Sequence, residues 1–260
     1  MSVEALGTVR ALDAAVEQAL TRAAIYRLLG RAFGYPTASV LEELARLSAL
    51  VAEQPATAPA IRDPLARLAA TAREVDPGAL AAEYVFLFDR QVRCPPYEGA
   101  YGDAPQMAGK SAELADIAGF YTAFGLAPAA TYPDMEDHIA AELEFMSALA
   151  LKEAYAVAEG HTEGLAVTRE AQVGFLTDHL GRWADTFAGE VRSATPVPYY
   201  AAAADVLTTW VRAEIEALGA TPRRLTTRVD PGPLGDDTLT CPMAHEEPAP
   251  HADERSAARE

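Results

Sequence analysis

The sequence predicts an all-α fold: one compact domain of about eight helices, with a long loop at residues 89–110 and a disordered C-terminal tail. Apolar residues recur at spacings of three and four along most of the chain, which is the helical period. Gly and Pro residues interrupt these segments at intervals typical of helix ends. No segment shows a convincing strand pattern, so helix-on-helix packing is the expected architecture.

The first helix is predicted from a stripe of apolar residues along one face, and the second from a capping pattern. The stripe of the first helix is formed by Val16, Leu20, Ala23, Ile25, Leu28 and Leu29. This helix should end at Gly34-Tyr35-Pro36, since Pro cannot continue it. Ser39 followed by Glu42 predicts a capping box that opens the second helix.

The middle of the chain is predicted as a third helix, a buried apolar run and a loop. Leu65 and Leu68 mark the helix, with Pro64 and Pro77 as its boundaries. The run at 84–88 is compatible with a short buried strand, although the alanines before it favour a buried helix. Residues 89–110 contain three prolines and three glycines without a period, and loops of this length are usually functional or disordered.

Four more helices are predicted from their stripes. The next helix is capped by Ser111, ends at Gly125 and buries Leu114, Ile117, Tyr121 and Phe124. A helix starting near Asp134 buries Ile139, Leu143, Met146, Ala150 and Val157. A single further helix buries Val173, Leu176, Leu180, Trp183 and Phe187. The last helix, closed by Gly219, buries Leu207, Val211, Ile215 and Leu218.

The composition changes near the end of the last helix. We therefore expect a helical domain at 1–219 and a Pro-rich, acidic, flexible tail at 220–260, because the tail has few large apolar residues for a core. Cys241, His245 and His251 form only a weak metal-binding pattern, so no metal or other cofactor is expected.

Charge and cysteine content limit the function. A net charge of −17 argues against nucleic acid and anionic membranes, and suits a basic peptide partner unless it serves solubility alone. Two cysteines, Cys94 and Cys241, exclude a disulfide framework and fit a reducing compartment. Without a basic N-terminal signal or a run of ~20 apolar residues, we expect a cytoplasmic protein that makes no stable membrane insertion.

The candidate site combines the loop at 93–103 with the helix expected near Asp134. His138 and Glu142 are four residues apart and share a helix face with Phe145. The pair could hold a metal, although it supplies only two ligands. It could be structural, with Asp134 as cap and His138 bonded to a loop carbonyl. It could also line a cleft where Glu142 pairs with an incoming Arg.

The loop supplies the expected opposite wall of that cleft. Pro95-Pro96 stiffens the backbone, and Tyr97, Glu98 and Tyr101 follow. Tyrosines are favoured at protein interfaces because they bury much area at little entropic cost, yet these two could simply pin the loop. Cys94 lacks the partners of a catalytic nucleophile, and no Gly-rich nucleotide-binding loop is present.

Five segments give the chain a family resemblance over about residues 20–215. They read EYVFLFD, CPPYEGAYG, ELADIAGFYTAFGL, DHIAAELEFM and FLTDHLGRWADTF. With them the chain resembles the TorD/DmsD-like redox-enzyme maturation chaperones, most closely those of type II dimethyl sulfoxide reductase family molybdoenzymes. That family usually has Pro-Asp-His directly, whereas here Pro133-Asp134 is separated from Asp137-His138.

The resemblance implies a cytoplasmic chaperone without catalytic activity. Such a protein binds the catalytic subunit of a molybdopterin oxidoreductase, through its twin-arginine leader, its body or both. It assists cofactor insertion and delays export. The client-binding residues implied for this chain are Tyr97, Glu98, Tyr101, Asp137, His138, Glu142 and Phe145. Two alternatives remain: a helical metal-dependent enzyme that uses His138, Glu142 and His179, and a structural subunit of the oxidoreductase.

Overall fold

The computed structural model describes residues 3–89, 92–102, 107–127 and 135–228. Within these ranges the chain forms nine α-helices and no strand, which confirms the all-α prediction. The helices are α1 Val3–Ala32, α2 Ala38–Glu53, α3 Pro59–Glu74, α4 Pro77–Tyr84, α5 Met107–Ala123, α6 Ile139–Ala158, α7 Thr162–Asp178, α8 Leu180–Ala194 and α9 Pro198–Leu218. A π-helical turn, Val85–Asp89, extends α4, so the run at 84–88 is helical as favoured.

The core lies between α1, α6, α8 and α9, with α2 and α3 on one side and α7 on another. Large aromatic side chains fill it, among them Tyr26, Phe33, Phe175, Trp183, Phe187, Tyr199 and Tyr200. Helices α1 and α6 approach closely where Ser147 donates a hydrogen bond of 2.9 Å to the carbonyl of Ala23. Leu20 does not join this core, contrary to prediction: it is 47% exposed, and Ala19 is buried beside it.

A buried ionic network ties four helices together. Arg22 of α1 contacts Glu214 of α9 at 2.7 Å and Glu153 of α6 at 2.5 Å, and it also donates to Gln172 of α7. Arg169 of α7 donates to Glu153 at 2.8 Å. Two arginines and two glutamates balance in charge, and every nitrogen–oxygen pair joins different helices. The network therefore joins α1, α6, α7 and α9 through buried polar contacts.

Two predicted helix starts in the first half of the chain are wrong. Helix α2 is capped by Thr37, whose Oγ1 accepts from the amide of Val40 at 3.3 Å, so Ser39 lies inside the helix. Helix α3 starts at Pro59 and contains Pro64. The helix continues through Pro64, its sixth residue, at the loss of one main-chain hydrogen bond, so Pro64 is no boundary.

Two later helices also start elsewhere than predicted. Helix α5 begins at Met107, four residues before Ser111, which shortens the expected loop. Helix α6 begins at Ile139 and is capped by His138. Asp134, the expected cap, lies outside the described residues.

The predicted single helix across 173–187 is two helices, α7 and α8. The backbone leaves the helical region at His179, with φ −130° and ψ −102°. After this break, a Cβ on Gly181 would lie 2.2 Å from the carbonyl oxygen of Leu176, so only glycine fits there. The stripe continues in phase past the break, and this is why periodicity alone does not detect it.

Residues after α9 are partly described. Gly219 closes α9 with a positive φ of 71°, as predicted. Residues 221–228 contact the fold, since the amide of Leu225 donates to the carbonyl of Arg182 at 2.8 Å. The remainder of the expected tail, 229–260, lies outside the described residues, and the domain division after 219 stays a prediction. None of the described helices has an apolar stretch long enough to cross a bilayer.

Candidate functional site

The loop at 92–102 lies directly on the start of α6. The amide of Ile139 donates to the carbonyl of Pro96 at 2.8 Å, and the amide of Glu98 donates to the carbonyl of Asp137 at 3.0 Å. The Asp137 carboxylate accepts from the amide of Gly99 at 3.1 Å. The two predicted walls of the cleft are therefore adjacent, as expected, and main-chain hydrogen bonds join them.

His138 is a capping residue. Its Nδ1 accepts from the amide of Ala140 at 3.1 Å, which satisfies one of the free N–H groups at the start of α6. Its ring packs edge-on against Tyr97, with centroids 5.2 Å apart. This bond gives His138 a structural role at the start of its own helix, and the predicted bond to a loop carbonyl stays a prediction.

Glu142 is fully buried and accepts from Trp183 Nε1 at 3.1 Å through Oε2. Its Oε1 has no hydrogen-bond partner among the described residues. Burial raises the pKa of Glu142 well above its usual range, and the negative charges of Glu98 and Asp137 raise it further. These effects favour the protonated form of Glu142, and in this conformation its buried side chain is not exposed to an incoming Arg.

Tyr101 and Phe145 are held by packing. The Tyr101 hydroxyl donates to the carbonyl of Pro95 at 3.0 Å, and its ring lies 5.3 Å from Trp183. This is the pinning role that was the alternative to a binding role. Phe145 is buried in a cluster with Phe120, Tyr121, Phe124 and Phe175. The predicted apolar floor of the cleft is therefore part of the core.

A polar path leads from Glu98 to the surface. Glu98 is completely buried, and its Oε2 lies 3.0 Å from Nδ1 of His179. The other ring nitrogen of His179 lies 3.2 Å from the exposed carboxylate of Asp116. Oε1 of Glu98 accepts from Arg182 at 3.3 Å, and Arg182 also contacts Glu113 at 3.2 Å. Buried and exposed carboxylates are thus linked by two basic side chains.

The surroundings of His179 favour its charged form. Burial by itself lowers the pKa of His179, but the hydrogen bond and charge of Glu98 and then those of Asp116 raise it above its usual value. Both ring nitrogens face carboxylate oxygens, so both donate in the doubly protonated ring. His179 therefore bridges Glu98 of the loop and Asp116 of α5.

The path opens into a surface cavity of about 620 Å³ between α5, α7, α8 and residues 221–223. Three carboxylates line it: Glu113, Asp116 and Asp178. The Asp116 side chain is 65% exposed, so it is accessible to a ligand. Arg182 and Arg223 line it as well, and we call it the acidic cavity because its α5 side carries two carboxylates, Glu113 and Asp116.

The structure brings all seven predicted site residues into one region. Six are buried: Glu98, Tyr101, Asp137, His138, Glu142 and Phe145. Tyr97 alone is half-buried, and a binding role for the seven stays a prediction. The sequence did not assign Asp116, Arg182 or Trp183 to the site, although Arg182 and Trp183 follow His179 by three and four residues. No group of three potential metal ligands occurs among the described residues.

A family model describes more than half of the chain. Residues 54–189 match the model of the nitrate reductase delta subunit. The matched range includes the loop at 92–102, the start of α6 and the α7–α8 break, and therefore the complete polar path.

Individual relatives match over most of the chain. The perchlorate reductase assembly chaperone protein of Dechloromonas aromatica (strain RCB) is 28% identical over 217 residues, covering 78% of this chain and 92% of that protein. Chaperone protein TorD of Aeromonas salmonicida (strain A449) is 30% identical over 173 residues, covering 66% and 75%. A solved structure from Archaeoglobus fulgidus is 23% identical, with a TM-score of 0.41, covering 76% and 93%.

Proposed function

Because this chain belongs to the TorD-like nitrate reductase delta subunit family, we propose that it is a cytoplasmic assembly chaperone for one molybdenum oxidoreductase. Its partner is the catalytic subunit of that enzyme before export. The chaperone assists insertion of the molybdopterin cofactor and delays translocation until the subunit is folded. The single observation that carries this proposal is the family match, which spans the whole polar path.

The names of the relatives support a chaperone over the alternatives. One relative is named for the assembly of perchlorate reductase and another as the chaperone TorD. A helical metal enzyme is not favoured, since His138 caps a helix and Glu142 bonds to Trp183. A structural subunit of the mature enzyme is not favoured by these relatives either.

For the leader of the client, we propose the acidic cavity as the docking surface. A twin-arginine leader presents two guanidinium groups, which pair best with carboxylates in a bidentate geometry. Asp116 and Asp178 are exposed there, while Glu98 and Glu142 lie behind them. In this proposal the seven predicted residues hold the elements that form the acidic cavity in place. Of the seven, only Tyr97 is exposed enough to contact the leader.

The direct test is calorimetric titration with the leader peptide of a molybdenum oxidoreductase catalytic subunit encoded beside this protein. We expect a dissociation constant in the micromolar range or below. Replacing both arginines of the peptide by alanine should weaken binding at least tenfold, since both pairs with carboxylates are lost. Equal binding of the two peptides would contradict arginine recognition. If the full-length subunit were also not retained, the chaperone proposal itself would fail.

Charge reversal at the cavity should weaken leader binding. We expect Asp116→Lys to lower the affinity by about tenfold, because a like charge then faces the guanidinium groups. The loss should shrink at high salt, as screening reduces interactions between exposed charges. Glu163→Lys, at the exposed start of α7, makes the same change in net charge and is the matched control. A similar loss in both variants would mean that net charge, and not this cavity, determines binding.

A further inference from the structure

Residues 221–228, which we call the strap, place Arg223 in the lining of the acidic cavity and the next residue, Arg224, against Asp185 of α8. We infer that the strap is an internal ligand, which occupies the docking surface that the leader of the client takes, and which the leader must displace. This inference rests on the proposed function and adds an autoinhibitory contact to it. The order of residues, the backbone pairing and the side-chain contacts of the strap each support it.

The strap has the residue order of the proposed ligand. Its sequence begins Thr221-Pro222-Arg223-Arg224-Leu225, so two adjacent arginines are followed by an apolar residue. A twin-arginine leader likewise presents two arginines before an apolar stretch. Pro222 favours an extended backbone in the residue before it, and residues 221–226 form no helix. The chain therefore carries its own short peptide with the chemistry that the cavity is proposed to bind.

The backbone of the strap is held as an added peptide would be. The amide of Leu225 donates to the carbonyl of Arg182 at 2.8 Å, and the carbonyl of Leu225 accepts from the hydroxyl of Thr186 at 2.5 Å. The Leu225 side chain is half-buried and packs against the core. Both bonds involve main-chain atoms of the strap, so a different peptide could make them equally well.

One arginine of the strap contacts a carboxylate and the other lines the acidic cavity. Arg224 contacts Asp185 of α8 at 3.3 Å. Thr221 and Arg223 line the acidic cavity together with Asp116 and Asp178. The Arg224 side chain is 53% exposed, and exposed ion pairs are individually weak. A longer peptide with stronger contacts can therefore replace the strap without breaking a buried ion pair.

The strap also fixes the loop at 92–102. The amide of Gly102 donates to the carbonyl of Thr227 at 2.9 Å. Arg228 donates to the carbonyl of Arg93 at 2.8 Å and to that of Val92 at 3.2 Å. Val92 has a φ of +44°, which is unfavourable for a β-branched residue and needs such support. Displacing the strap should therefore release the loop that carries Tyr97.

The test is leader binding by the full chain carrying Arg223→Ala, Arg224→Ala and Leu225→Ala together. We expect the leader to bind this variant about tenfold more tightly than the unmodified chain, because a closed strap lowers the apparent affinity by the fraction of open molecules. Arg212→Ala is the matched control: Arg212 also contacts Asp185, at 2.6 Å, but lies on α9 outside the strap. That variant should bind the leader as the unmodified chain does.

Amide hydrogen exchange provides a second measurement that needs no variant. With leader bound to the unmodified chain, the amide of Gly102 should exchange faster, since its acceptor on Thr227 moves away. Unchanged exchange at Gly102, or equal leader affinity with and without the strap substitutions, would overturn the inference and leave the chaperone proposal intact. A third outcome is that the leader binds neither the unmodified chain nor the strap variant, while the full-length subunit is still retained. That result would overturn this inference and the proposed leader site, but not the chaperone proposal.

Discussion

Arg22→Met should lower the free energy of unfolding by about 3–5 kcal/mol, the usual loss when one partner of a buried ion pair is removed. Arg22 is 9% exposed, and its loss leaves Glu214 buried without its cation. Glu153 keeps Arg169, so Glu214 bears most of the penalty. For a domain of this size the melting temperature should fall by about 10 °C. Thermal unfolding followed by circular dichroism measures it.

Two further variants make this result specific. Arg27→Met removes an exposed arginine from the same helix and should change the melting temperature by no more than 1–2 °C, roughly the effect of a surface change. Arg22→Met combined with Glu214→Gln should recover part of the loss, because the buried carboxylate is then neutral. If Arg22→Met and Arg27→Met were equally mild, the network would not contribute to stability as described.

Glu142→Gln should stabilise the protein increasingly as the pH rises. The folded state keeps the Glu142 proton above pH ~4.3, the usual glutamate pKa, whereas the unfolded state releases it. The unmodified protein therefore loses stability with rising pH, by up to about 1.4 kcal/mol per pH unit, until the raised folded pKa is reached. Glutamine has no proton to lose. The difference in melting temperature should thus grow from pH 5 to pH 8.

The control for this pH dependence is Glu163→Gln, which makes the same substitution at an exposed position. Its melting curve should run parallel to that of the unmodified protein across the same pH range. Parallel curves for Glu142→Gln as well would mean that Glu142 is charged in the folded state. A direct pairing of Glu142 with a client arginine would then become plausible again.

The helices were predictable because burial of one helix face imposes its period on the sequence. The stripes of α6 and α9 name side chains that the structure buries, such as Leu143, Met146 and Leu207. Helix ends were less predictable, since the caps are set by single hydrogen bonds. His138 is not among the residues preferred at this position, and two residues near the start of α2, Thr37 and Ser39, are both good caps.

The sequence predicted where the site lies, but not which contacts its buried residues make. The sequence predicted that the loop and α6 are neighbours, and Tyr97 and His138 do form an isolated β-bridge. Charged residues are rarely buried without partners, so Glu98 and Glu142 were expected at a surface. Their partners, His179 and Trp183, are distant in sequence and stand after a helix break that periodicity does not detect. The exposed acidic cavity arises only once α5 and α8 are packed together.

The composition of the strap does not indicate that it is attached to the fold. Pro222 and the arginines beside it resemble the polar tail that follows, and a short extended segment has no helical period. Its attachment depends in part on main-chain atoms of Gly102 and Arg182, and most residue types have the same main-chain groups. Contacts of this kind leave little trace in a sequence.

The central claim is that this protein holds one catalytic subunit before export. The most direct measurement is affinity purification of the tagged full chain from cells that also produce the catalytic subunit of the adjacent oxidoreductase, with its leader. We expect a stoichiometric complex with the subunit that still carries its leader, and none with the assembled, exported enzyme. Recovery of the chain with the mature enzyme would identify a structural subunit, and absence of any complex would contradict the chaperone function.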